Sequence, residues 1–143
     1  MTETILRTEA ATATATAAKL NYSYQRQIVL DTVLNSREHM TALQVYHTAR
    51  QQCSRLSLGT VYRNLNTLVE IGKIRRVSIP GEADRFDWEL ADHQHFYCRK
   101  CKKVLNLEVS MPALQQLVGN GQKMYAEQYN FVVTGLCDDC AGE

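Results

Sequence analysis

Cys98-Arg99-Lys100-Cys101 and Cys137-Asp138-Asp139-Cys140 are two CxxC pairs with 35 residues between them. Each pair can turn two thiolates toward one ion, and two pairs complete the tetrahedral sulfur site that Zn2+ prefers. A four-thiolate site has no open coordination position, so the zinc it predicts holds the fold and does no chemistry. A redox dithiol would need one pair only, preferably in a βαβ setting that neither pair has. The fifth cysteine, Cys53, stands alone between two helical segments and reads as packing.

A second group of residues suits a different ion. The chain has four histidines, His39, His47, His93 and His95. In an extended segment side chains alternate with period two, so His93-Gln94-His95 puts two imidazoles on one side. Asp87 lies on the polar side of the preceding alternating segment, opposite Phe86, Trp88 and Leu90, and can give an oxygen to the same ion. Asn106 and Glu108 share one face of the next extended segment, and either can add another oxygen. His39, in a loop after the first helix, is the histidine placed to link the two halves of the chain, whereas His47 reads as an ordinary helix residue. Imidazole and carboxylate donors without thiolate suit Fe2+, Mn2+ or Zn2+, in a site distinct from the sulfur zinc. A reversible ion bridging two halves is a switch, and ion occupancy and the affinity of the other half for its partner must then strengthen each other.

These residues need elements to hold them. The 143 residues are 45% hydrophobic and 22% charged, with seven Gly and two Pro, which suits one compact unit or two small ones. No stretch approaches the roughly 18 consecutive apolar residues of a membrane helix, and the Thr-Ala alternation of the first 19 residues is no secretory signal, so a cytoplasmic protein is expected. Residues 1–20 offer few large side chains to bury and read as a flexible tail. Helices are expected from about residue 22 to 35, from Thr41 as N-cap to about 52, and from Ser57 as N-cap to Gly72. The period then switches to two: residues 74–79 and 85–90 flank the turn Pro80-Gly81-Glu82-Ala83-Asp84. Three helices followed by a hairpin form a winged helix-turn-helix, expected over residues 21–90. Its third helix has Val61, Leu65 and Leu68 on one face and Arg63 and Asn66 on the other. Thr60, Tyr62, Arg63 and Asn66, with Arg75 and Arg76 of the hairpin, are the candidate DNA contacts.

Charge agrees with that division. Residues 21–80 carry eight Lys and Arg against three acids, and residues 81–143 carry six against ten. A basic half suits a polyanion, and an acidic half rich in Cys and His suits cations. Residues 91–143 read as a small α/β unit: strands over 95–98 and 104–109, a helical stretch over 111–128 with a break at Gly119-Asn120-Gly121, and a β-rich run over 129–134. With so little core it needs a zinc staple and a second subunit, so a dimerisation domain is expected. The fold class is α+β.

Taken together, Leu58-Gly59-Thr60-Val61-Tyr62-Arg63-Asn64-Leu65, Asp92-His93-Gln94-His95 leading into Cys98-Arg99-Lys100-Cys101, and Cys137-Asp138-Asp139-Cys140 resemble the ferric uptake regulator family of bacterial metal-dependent repressors. The likeness runs from about Tyr22 to Cys140. It implies a homodimer that binds a palindromic double-stranded DNA operator, with Tyr62 and Arg63 on the recognition helix, structural Zn2+ on the four cysteines, and regulatory Fe2+ or Mn2+ between the domains. The sequence looks most like the peroxide-responsive branch, whose regulatory ligands fall on His39, Asp87, His93 and His95. That branch implies oxidation of His39 or His93 by hydrogen peroxide at bound Fe2+, with loss of metal and DNA. The chain departs from the pattern in three places. The branch's last carboxylate falls on Asn106, a neutral amide, with Glu108 as the nearby acid on the same face. Asp92 and Gln94 stand where iron sensors often place further ligands, with no His after His95. Tyr24 replaces the usual Pro before Gln25-Arg26.

Other functions use the same residues differently. An iron, manganese or zinc uptake regulator keeps the fold and changes the signal. A non-heme metalloenzyme would use His93, His95 and Asp87 for oxygen chemistry, but no substrate pocket with a second acid or base is evident, so no turnover and no small organic substrate are expected. A zinc-stapled protein-interaction module would bind its partner without the steep salt dependence that Arg63, Arg75 and Arg76 imply for DNA.

Overall fold

Two hydroxyl side chains set where helices of the first half begin. A computed structural model describes residues 23–119, 121 and 123–142, so the tail expected over 1–20 lies outside the described residues. Helix α1 covers residues 23–35. Thr41 caps α2 (Ala42–Ala49) reciprocally: its hydroxyl accepts from the Gln44 amide at 3.2 Å, and Gln44 Oε1 accepts from the Thr41 amide at 2.9 Å. Ser57 caps α3 (Leu58–Glu70), accepting from the Thr60 amide at 3.1 Å. The far end of α3 closes on Gly72, whose φ of 77° only glycine adopts without strain. Gly72 N–H then donates to Val69 O at 3.1 Å and Lys73 N–H to Leu68 O at 2.9 Å, the two bonds of a Schellman cap.

The apolar stripes of the three helices meet in one cluster. Val29 and Val33 of α1, Val45 of α2, and Val61, Leu65 and Leu68 of α3 are almost wholly buried, and Ile74 and Phe86, beyond the helices, close the cluster. Each such side chain contributes about 1.5–3 kcal/mol by leaving water. Cys53 packs against the same cluster, in keeping with a packing role.

The hairpin is shorter and wider than the alternation implies. Its strands are β2 (Arg75–Val77) and β3 (Arg85–Asp87), and an unexpected β1 (Met40–Thr41) pairs with β3, giving the order β1-β3-β2. The alternation runs beyond the paired residues because Ile79 and Trp88 have packing partners outside the hairpin. Two residues, as in β1, are too few to show a period.

The second sheet has the order β5-β4-β6, from β4 (Gln94–Cys98), β5 (Val104–Leu107) and β6 (Val132–Gly135). β5 stops two residues short of the expected end, and β6 starts three residues later than expected. β4 and β6 are parallel, so the chain must cross over between them, and α4 (Met111–Gly119) with residues 123–130 makes that connection. The helical stretch expected over 111–128 thus ends at Gly119, where the break was expected, and residues 123–128 are not helical. Of its residues only Leu114 is buried, and Gly121 turns the chain with φ 78°, so nothing holds a longer helix in place. A short α5 (Asp138–Ala141), also unexpected, follows Cys137. Gln94 joins the sheet to the crossover: its amide donates to Tyr129 O at 3.0 Å and accepts from the Phe131 N–H at 2.8 Å.

The two halves share packing. Val77 of β2 and Ile79 bury against Tyr97 and Val104, with Val132 alongside. The end of the hairpin therefore belongs to the core of the second sheet, and the ends of β1, β3 and β4 are brought to one place. No helix among the described residues is long and apolar enough to cross a membrane.

Candidate metal centres and nucleic-acid face

Asp87, the last residue of β3, is fully buried where those strand ends meet. Three imidazoles converge on its Oδ2: His93 Nε2 at 2.6 Å, His95 Nε2 at 2.9 Å and His39 Nε2 at 3.2 Å. His39 immediately precedes β1, and His95 lies within β4. His93 sits one residue before that strand. Its other nitrogen, Nδ1, lies 2.6 Å from Ala91 O, which holds the ring over Asp87. The Glu89 amide donates to Asp87 Oδ1 at 3.0 Å. Burial pushes the Asp87 carboxyl up, but the facing His39 and His95 and the Glu89 amide outweigh it and hold the group far below the ordinary carboxylate range.

The four donors fit a divalent cation. His39 Nε2 approaches Asp87 without an aligned hydrogen bond, and this buried nitrogen is left unsatisfied. Such an orphan costs about 1–3 kcal/mol, which an ion accepting its lone pair would remove. The three nitrogens and the carboxylate oxygen all lie within 4.8 Å of one another, at a spacing one ion can span. His39 also packs against Trp88, ring centroids 5.3 Å apart, which shields one side.

The remaining candidates stand at the edge. Asn106 faces His95 across the β4–β5 ladder, and its Nδ2 donates to Glu89 Oε2 at 3.1 Å. Glu108 lies past the end of β5, exposed, and lines a cleft of about 750 Å3 with Glu89, Asp92 and His93; it is not among the four converging donors. Gln94 is committed to backbone on both sides of its amide, as described above.

The four paired cysteines form the other cluster. Their sulfurs also lie within 4.8 Å of one another, with Cys101 and Cys137 at 3.8 Å, and all are free thiols. Lys102, at φ 67°, tightens the first turn, and its N–H donates to Cys98 O at 2.9 Å. Backbone N–H groups of Cys101 and Cys137 pull the Cys98 thiol down to about 5, so it is poised as a thiolate, while the neighbouring sulfur of Cys137 pushes Cys140 up to about 12. Four sulfurs so crowded cannot all ionise unless a cation joins them, which fits Zn2+.

In the helical half, α3 presents exposed Tyr62, Arg63 and Asn66, with Thr60 half-buried. Arg63 Nη2 donates to Thr60 Oγ1 at 3.1 Å, and Arg76 Nη2 donates to Asn66 Oδ1. Arg75 is not part of this face. It stands opposite Asp87 in the ladder, with Nη1 donating to Ala91 O at 2.9 Å and 3.7 Å from Asp92 Oδ1.

Two residues at the site carry no sequence signal. Arg85 spans it: Nη1 donates to His39 O at 3.0 Å and Nη2 to Lys102 O at 2.8 Å, tying the His39 loop to the cysteine turn. In an alternating strand it reads as a solvent-facing charge, as does Glu89.

The ferric uptake regulator family model matches residues 17–134. Over 118 residues the chain is 26% identical to the peroxide operon regulator of Bacillus subtilis, covering 82% of this chain and 81% of that one. It is 25% identical to the peroxide-responsive repressor PerR of Staphylococcus epidermidis over 120 residues, 83% of this chain and 80% of that one. Its fold is similar to that of the Helicobacter pylori ferric uptake regulator, with a TM-score of 0.74, 21% identity and coverage of 92% and 91%. It is also similar to that of the Campylobacter jejuni peroxide stress regulator, with a TM-score of 0.70, 23% identity and coverage of 90% and 97%.

Proposed function

The chain belongs to the ferric uptake regulator family, and we propose that it is a metal-dependent, peroxide-responsive transcriptional repressor. The observation that carries this reading is the convergence of three imidazoles on Asp87 where the helical half meets the second sheet. His39, Asp87, His93 and His95 hold Fe2+ or Mn2+, and Cys98, Cys101, Cys137 and Cys140 hold Zn2+. Residues 21–90 form the DNA-binding domain and residues 91–143 the dimerisation and metal-binding domain. Exposed Met111, Leu117, Met124 and Tyr125 are apolar surface that a second copy covers, making a homodimer. Thr60, Tyr62, Arg63, Asn66 and Arg76 meet a palindromic double-stranded operator, with α3 in the major groove. The protein is a regulator without turnover, and it works in the cytoplasm.

Ferrous iron held by these residues would supply the electrons that split hydrogen peroxide, one oxygen leaving as water. His39 or His93 would take up the other oxygen, and the oxidised ring would lose its fit to Asp87. The ring nitrogens of His39, His93 and His95 would donate lone pairs to the ion, and buried Asp87 would provide the compensating charge. Treatment of the Fe2+-loaded protein with peroxide is expected to add about one oxygen atom to a peptide containing His39 or His93 and to release DNA, while the Mn2+-loaded protein keeps both. Peptide mass spectrometry with a DNA-shift assay checks this; unmodified histidines and persistent DNA binding in the iron form would make the protein a metal-uptake regulator instead.

DNA contact has its own signature. Arg63→Ala should weaken binding to a fragment selected from random DNA and lower the slope of log affinity against log salt by about one counterion. An unchanged slope would remove Arg63 from the interface.

A further inference from the structure

One hydrogen bond beside the imidazole cluster joins Asn106 to Glu89. Asn106 stands opposite His95 across β4 and β5, so both side chains leave the sheet on the same face. Glu89, two residues beyond Asp87, gives its backbone N–H to Asp87 Oδ1 at 3.0 Å, which fixes its position relative to the cluster. Its carboxylate Oε2 accepts from Asn106 Nδ2 at 3.1 Å.

An amide has a donor end and an acceptor end, and only the carbonyl oxygen can bind a cation. With its nitrogen tied to a carboxylate, Asn106 keeps that oxygen available on the face it shares with His95. The same bond places a negative charge one hydrogen bond outside the ligand set, where Asp87 is the sole carboxylate among the four converging donors. We infer that Glu89 is a positioning residue: it orients Asn106 so that the carbonyl oxygen serves as a further metal donor, and it supplies the charge that a neutral amide lacks. The inference rests on the reading that His39, Asp87, His93 and His95 hold a divalent cation.

The pair works as one carboxylate and one amide, and that makes the effect of substitutions non-additive. Glu89→Gln leaves two amides and removes the charge. Asn106→Asp leaves two carboxylates at hydrogen-bond distance with no donor between them, so each repels the other. Glu89→Gln with Asn106→Asp restores one donor and one acceptor, reversed.

The test is Mn2+ titration of the zinc-loaded full chain by calorimetry, with the Mn2+ electron paramagnetic resonance spectrum as a readout of ligand symmetry. Glu89→Gln is expected to weaken Mn2+ about tenfold by removing the charge, and to alter the spectrum, because an amide at 89 can present its NH2 as well as its oxygen and no longer fixes which end of Asn106 faces the ion. Asn106→Asp alone should give no gain, and the double variant should recover wild-type affinity or exceed it. If the single effects simply multiply in the double variant, or if Asn106→Asp alone tightens Mn2+ binding, Glu89 does not position Asn106. The underlying reading fails separately: wild type would bind no Mn2+, or binding would survive Asp87→Ala, and the inference would fall with it.

Discussion

Asp87→Ala is expected to weaken regulatory metal binding by more than a hundredfold and, with it, to lose DNA binding at Mn2+ concentrations that saturate the unaltered protein. Three imidazole nitrogens surround one carboxylate oxygen at 2.6, 2.9 and 3.2 Å in a fully buried pocket. Removing the charged partner of a buried pair costs about 3–5 kcal/mol, which at about 1.4 kcal/mol per decade is a loss of about two to three and a half orders of magnitude in affinity. Alanine also leaves His93 and His95 without their acceptor. Asp87→Asn separates the two effects, because it keeps the volume and a carbonyl oxygen but not the charge, and the loss should persist. Mn2+ titration and a DNA-shift assay in excess Mn2+ measure both steps. Metal affinity within tenfold of wild type would mean that the cluster is a hydrogen-bonded core and not an ion site.

Stripping zinc is the second large effect. The second sheet has a small buried cluster, Val77, Ile79, Tyr97 and Val104, and α5 buries nothing. A structural zinc is worth about 10–16 kcal/mol in small thiolate sites, as much as or more than the roughly 5–15 kcal/mol by which whole domains are stable. Cys98→Ser, or prolonged chelation, should therefore unfold the β5-β4-β6 sheet and dissociate the dimer. Circular dichroism melts, zinc content and sedimentation follow it. Helices α1 to α3 have their own apolar cluster and should keep most of their signal. A zinc-free protein that melts and sediments like the loaded one would refute a structural role for the site.

How much of this could be read from residues alone depends on range. Helix starts at Thr41 and Ser57 and the stop at Gly72 are local chemistry, and the structure has them at those residues. Both metal clusters were legible because ligand types at fixed spacing are rare, and all eight donors converge as two groups of four. What spacing could not convey is pairing at a distance. β1 is two residues long and exists only because β3 lies beside it. The break expected at Gly119 is where α4 ends, but the helix expected to continue beyond it does not: residues 123–128 are not helical, and their apolar side chains Met124 and Tyr125 are exposed. Arg75 looked like a DNA contact by charge, and its register opposite Asp87 turns it toward Asp92. Arg85 and Glu89 were missed for the same reason: their partners are 46 and 17 residues away in the chain.

The shortness of β1 has a mechanical side. His39 is separated from Thr41, the residue on which α2 is hung, by Met40 alone, and both strand residues are pinned to β3, the strand that ends in Asp87. A displacement of the imidazole passes through one residue to the first turn of α2, which shares its apolar cluster with α3. His39 is thus one residue from the cap of a helix packed against α3, so the proposed sensor and the proposed reader are joined through a single helix.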